Sequence, residues 1–239
     1  MFARCWRLRG SSTASRASLK QNTRKDEFLT MPIPTRSQCL ALMDRTQMPP
    51  HIRRHSFMVA EIALYLARRL NTDSIRLNLE LTEAAALLHD IAKARSIATG
   101  ERHDELGARM LHDWGYPALA PIVQDHTTMD FIRVHGPVTE SVLVNYADKR
   151  VKHDQVVTIE DRFHDLVERY AKTRESKVYL LKRLDLYLVL EKKIFEHLNI
   201  SPAGRELMQL SPDTRPEREW SYNEQQELES GLTGGRKIR

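Results

Sequence analysis

The sequence predicts an all-α fold in a single domain. Apolar residues recur at helical spacing through most of residues 35–198, and Gly and Pro fall at the breaks between those segments. Only QVVTI at 155–159 reads as a strand, and no repeat, Gly-rich phosphate loop or low-complexity core interrupts the pattern.

Thr35 or Ser37 can cap a first short helix carrying Cys39, Leu40 and Leu42. Pro49-Pro50 ends it and opens the next, because proline fits the first helical turn. Residues 51–70 place Met58, Val59, Ile62, Ala63, Leu66 and Leu70 at helical spacing. Asn71-Thr72-Asp73 breaks that helix, and the next is expected over about 75–93. A short helix over 103–113 should stop at Gly115 and Pro117, followed by another over 117–126. After a turn at His135-Gly136-Pro137, helices are expected over 139–152, 160–173 and 175–198.

Composition removes several function classes. The net charge is +5, but residues 1–30 hold seven basic and two acidic side chains and so carry all of it. The other 209 residues hold 30 of each sign, a neutral body that argues against nucleic-acid binding. No apolar run reaches the length of a transmembrane helix. Cys5 and Cys39 are too few for a disulfide framework, so a reducing, cytoplasmic setting is expected. Residues 1–30 are Arg- and Ser-rich with no acid before Asp26. They read as a disordered basic extension: a leader, a transit peptide, or the product of a start codon placed upstream of Met31. The early start is preferred because the ordered pattern begins after Met31. The domain proper should then run over 31–200, and the polar, mixed-charge residues 201–239 should form a disordered tail.

One stretch does not read as plain core. ALLHDIAKAR, residues 86–95, runs apolar residues straight into His89-Asp90, with Lys93 following. Burying an imidazole and a carboxylate is costly unless each is paired, hydrogen-bonded or bound to a metal. The pair has company in His55, His103, His126 and Asp148. Any one of these taken alone has a structural explanation. Together, four imidazoles and two carboxylates form a mixed nitrogen and oxygen donor set, which suits Fe, Mn, Co, Ni or Zn better than Mg or Ca.

The ordered series resembles the HD superfamily of metal-dependent phosphohydrolases. The resemblance runs over about 40–155, through His55-Ser-x-x-Val-Ala, Ala-Leu-Leu-His89-Asp90-Ile-Ala-Lys93, His103-x-x-Leu-Gly-Ala-x-x-Leu, Ile-Val-x-x-His126 and Tyr-Ala-Asp148-Lys-Arg. It implies that His55, His89, Asp90 and Asp148 hold one divalent transition metal and that His103 and His126 add a second. Asp90 would bridge the two ions. Lys93, at i+4 from His89 and i+3 from Asp90, would share their helix face and point at substrate phosphate. Asp90 and Lys93 are thus the expected catalytic residues, with Thr128, Lys149 and Arg150 as further phosphate contacts. His51, His112, His135, His153, His164 and His197 lack motif context and are read as structural or surface residues.

Two subfamilies compete. Gly115-Tyr116-Pro117 is similar to the GYP of cyclic-di-GMP phosphodiesterases but precedes His126 rather than following it, so it reads as a helix stop. The HDIAK, the Gly-Ala segment after His103 and His126-Thr127-Thr128 resemble the bacterial symmetrical diadenosine tetraphosphate hydrolases more closely. The expectation is hydrolysis of a small nucleotide or dinucleotide phosphate by a metal-activated water. The alternatives are a cyclic nucleotide phosphodiesterase, or a nucleotide- or partner-binding signalling module without turnover. Oligomeric state is not legible in the sequence.

Overall fold

The computed structural model describes residues 31–72 and 75–217. Expectations for residues 1–30 and 218–239 lie outside the described residues. Those described are predominantly helical, as the periodicity predicts, and from Ile33 they belong to one compact unit. None of these helices is long and apolar enough to cross a membrane.

Thr35 opens α1 (Arg36–Arg45) with a capping box, its hydroxyl taking the Gln38 N–H and the Gln38 side chain taking the Thr35 N–H. Pro50 then begins α2 (Pro50–Leu70), the central helix, which is buried over most of its length. Ile62, Leu64 and Leu66 are fully buried, each contributing about 1.5–3 kcal/mol. α2 packs against α3 (Leu79–Leu88) and α8 (Glu140–Lys149), and these three form the floor of the site described below.

α3 differs from its expected span at both ends. Asn78 caps it by accepting from Leu81 N–H, so it starts later than 75. It also stops before the His-Asp pair: residues 89–92 form a turn, and a separate helix, α4 (Lys93–Thr99), follows. The sequence reads as one continuous helix because every residue there is helix-compatible. The break is made by i→i+3 backbone bonds, Ile91 N–H to Leu88 and Lys93 N–H to Asp90.

α5 (His103–Asp113) ends where the sequence predicts. Gly115 adopts a φ of 88°, and Tyr116 N–H returns to the Leu111 carbonyl, so the Gly-Tyr-Pro is indeed a helix stop. α6 (Ala120–Asp125) lies close against α5, and a Cβ on Gly107 would come within 3.1 Å of Val123 Cγ1. The absence of a side chain at 107 lets the two helices that carry His103 and His126 approach.

A short helix, α7 (Phe131–His135), went unread in the sequence. The expected 139–152 helix ends at Lys149, and Val151–Lys152 (β1) pairs antiparallel with Gln155–Val156 (β2). The predicted strand is therefore real but shorter, because Thr158 already caps α9 (Ile159–Tyr170). α10 (Arg174–Phe195) packs on α9 and contacts α7 and α8. Residues 201–217 depart from the expected disordered tail. Gly204 precedes α11 (Arg205–Met208), Leu207 is fully buried, and the Arg36 guanidinium donates to the Asp213 and Arg215 carbonyls. A polar composition concealed these few anchoring contacts.

Candidate metal centre

Five helices and the turns at their ends bring the six ligand candidates together. His55 comes from the second turn of α2, His89 and Asp90 from the turn that follows α3, His103 from the start of α5, His126 from the end of α6, and Asp148 from the last turn of α8. His55, His89 and Asp148 form one group able to hold an ion, and His89, Asp90 and His126 form another. His89 is common to both.

The rings are oriented by the backbone. His89 Nδ1 lies 2.7 Å from the Ala86 carbonyl, His126 Nδ1 2.5 Å from the Val123 carbonyl, and His55 Nδ1 3.0 Å from the His153 carbonyl. Each Nδ1–H donates to its carbonyl, which leaves Nε2 with the lone pair and turns it inward. Imidazole nitrogens so prepared are metal donors.

The inward-facing atoms crowd one another. His55 Nε2 lies 2.9 Å from Asp148 Oδ1, and His103 Nε2 lies 3.2 Å from His126 Nε2. Asp90 Oδ1 is 3.4 Å from His103 Nε2 and 3.6 Å from His126 Nε2, while His89 Nε2 is 3.5 Å from Asp90 Oδ2 and 3.8 Å from Asp148 Oδ1. Atoms ligating one cation at about 2.1 Å stand about 3.0–3.5 Å apart, which is this spacing. His89 Nε2 and Asp90 Oδ1 are moreover buried with no hydrogen-bond partner. Each such orphan costs about 1–3 kcal/mol, a cost that a cation among them would remove. The residues present therefore fit divalent transition-metal ions.

The electrostatics keep the donors in ligating form. Burial alone would raise the Asp90 pKa, but His89, His126 and Lys93 outweigh it and hold the carboxyl well below its usual range. Asp148 follows the same logic: burial pushes up, and Lys149 with His55 and His89 pull it well below. Burial drives His103 down to about 4, against the opposing pull of Asp90, so its imidazole is neutral at pH 7.

Lys93 reaches Asp90 Oδ2 at 2.6 Å although the two do not share a helix face as predicted. The turn at 89–92 brings them together, and Lys93 begins α4. Its side chain stays 43% exposed, so the ammonium stands between the buried carboxylate and solvent. Burial would lower its pKa, but Asp90 and Asp148 raise it, and Lys93 remains charged. Lys149 donates to Asp148 Oδ2. Thr128 is exposed beside His126.

Arg150 does not meet phosphate or solvent. It is fully buried, donating to the Val157 and Pro202 carbonyls, to Tyr146 OH and to Glu191. Because the helix ends at Lys149, the chain turns at Arg150 and carries its side chain to the opposite side of α8 from the donors.

Several supporting residues went unread in the sequence. Asp104 is buried, takes bonds from Arg102 and from Thr127 Oγ1, and so ties the start of α5 to the loop after His126. Asn145, one turn before Asp148, donates to the Asp125 and Thr128 carbonyls at 2.8 Å each. Tyr187 OH in turn donates to Asn145 Oδ1. His153, read as a structural or surface residue, supplies the carbonyl that orients His55 from the β1–β2 turn, where its φ is 60°. Only the carboxamide of Asn145 in an apolar run was a visible signal. A backbone carbonyl leaves none.

No curated protein matches the chain, and no solved structure matches it. Residues 52–166, the stretch that holds all six donors, match the HD domain family.

Proposed function

We propose that the protein is a metal-dependent phosphohydrolase that cleaves a phosphoester or phosphoanhydride of a nucleotide or dinucleotide by attack of water. The observation that supports this best is the buried donor cluster with its orphaned His89 Nε2 and Asp90 Oδ1. A structural ion would need only one closed set of ligands. Here two sets overlap at His89 and extend to His103, whose side chain is 28% exposed.

His55, His89, Asp90 and Asp148 would hold one divalent transition metal and His103 and His126 would add donors for a second, and such ions would activate water and offset charge on phosphoryl oxygens. The residues do the rest. The backbone carbonyls of Ala86, Val123 and His153 fix the three imidazoles. Lys93 orients Asp90 and offers its ammonium to a phosphate oxygen at the solvent side. Lys149 holds Asp148 and keeps it ionised.

Metal analysis of the purified protein, followed by phosphate release from a nucleotide panel, tests the reading. It stands if the protein carries transition metal and releases phosphate in a metal-dependent way. Metal retention with no release from any member would favour the binding-module alternative.

A further inference from the structure

We infer that the face of α10 bearing Tyr179, Arg183 and Tyr187 is the wall of the substrate site, and that Tyr179 stacks the base of a nucleoside phosphate. The inference rests on the hydrolase reading and deepens it by naming the residue that takes the base.

The three residues stand at i, i+4 and i+8, on one helix face. They lead from the metal centre outward. Tyr187 is fully buried and bonded to Asn145, which holds the loop on either side of His126. Arg183 comes next, donating from Nη2 to the Thr127 carbonyl at 2.8 Å, directly after His126. Its Nη1 donates to Tyr179 OH at 3.0 Å, and its guanidinium lies 5.6 Å from the Tyr179 ring centre and 5.9 Å from that of Tyr187. Tyr179 therefore has its hydroxyl anchored to the loop that carries His126, while its side of α10 meets solvent.

Tyr179 is 58% exposed. A ring held by its hydroxyl and more than half exposed loses little freedom on stacking a second ring. Tyr179 also lines a surface recess of about 470 Å³ with Arg174, Glu175, Val178 and Lys182, which is room beside the ring with two cations against one carboxylate. Eight residues of helix place Tyr179 about 12 Å beyond Tyr187 along α10. A simple phosphoester without a ring would leave Tyr179 and the recess unused.

Equilibrium binding of AMP and of ribose 5-phosphate to the metal-loaded full chain tests this by calorimetry, because the two probes differ by the base. Wild type should bind AMP about 5- to 150-fold more tightly than ribose 5-phosphate. Tyr179→Ala should bring the two affinities within about twofold, with metal content and circular dichroism unchanged, while Tyr179→Phe should keep most of the preference. Equal affinities in wild type, absence of binding by either probe, or a preference that survives Tyr179→Ala would overturn the inference. Phosphate release measured on the same preparations separates the two readings. A base preference that depends on Tyr179 without any release leaves this site standing and removes the hydrolase.

Discussion

The Nε2 atoms of His103 and His126 lie 3.2 Å apart, facing each other across the approach to Asp90. The His126 Nδ1–H is spent on the Val123 carbonyl, so its Nε2 presents a lone pair to a neutral His103. Without a cation the contact is an N–H···N hydrogen bond from His103, and with one both Nε2 atoms can serve as donors. Replacing either with Ala should leave the helical circular dichroism intact and remove about one bound ion together with turnover. Two ions and full activity in both variants would show that the site is mononuclear and centred on His55, His89, Asp90 and Asp148.

Asp90 touches the approach of every other donor on its side of the cluster, with Oδ1 toward His103 and His126 and Oδ2 toward His89 and Lys93. Asp90→Ala and His89→Ala should each abolish metal retention at the shared position. Elemental analysis decides the matter, and full occupancy in Asp90→Ala would sink the ligand assignment.

The donors were legible because metal ligands must be particular residue types in a particular order. His55 rather than His51 proved to be the inward one, since Nε2 of His55 meets Asp148 while His51 is exposed. What orients those donors was largely illegible. The carbonyls of Ala86, Val123 and His153 carry no side-chain signature, and the β1–β2 turn that delivers the third falls between the expected 139–152 helix and the expected strand. The long α10 was legible as a helix over 175–198 but not as part of the site. Its link to the loop at Thr127 depends on a single guanidinium whose partner lies 56 residues away.

Arg150 is expected to govern stability rather than substrate affinity. Its guanidinium joins α8 to Val157, to Glu191 on α10 and to Pro202, with no exposure to solvent. Arg150→Met strands Glu191 and Tyr146 in a buried site and should cost about 3–5 kcal/mol. Denaturant unfolding measures this directly. A variant of normal stability with a raised KM would restore the phosphate role that the sequence predicts.

Asp165 sets an acid limb to stability. It is buried on α9 and receives Lys152 from β1 and Arg162 and Arg169 from its own helix, each at 3.0 Å. Burial raises its pKa, and these three cations together take it below the ordinary 3.8. A carboxyl depressed on folding stabilises fully above its unfolded pKa, and the contribution fades as pH falls through the lower folded value. Asp165→Asn should therefore lower Tm at neutral pH and flatten its decline below about pH 4. Parallel melting curves for variant and wild type from pH 7 to pH 3 would contradict the assignment.

Lys93 should act on substrate more than on metal. Its ammonium meets Asp90 at 2.6 Å, yet nearly half of the side chain faces solvent, where a phosphate oxygen can replace water. An ammonium is a poor ligand and a good point charge, so Lys93→Ala should keep fold and metal content. It should lower kcat/KM by about 10- to 1,000-fold, the range for a charge-assisted contact that strengthens at the transition state. Lys93→Arg should recover little, because a planar fork does not replace a compact charge wedged between Asp90 and the incoming phosphate. Steady-state kinetics with metal quantified in the same preparations is the measurement. If Lys93→Ala loses metal in proportion to activity, the residue serves only to hold Asp90; if its kinetics match wild type, it is a helix-start lysine with no part in the chemistry.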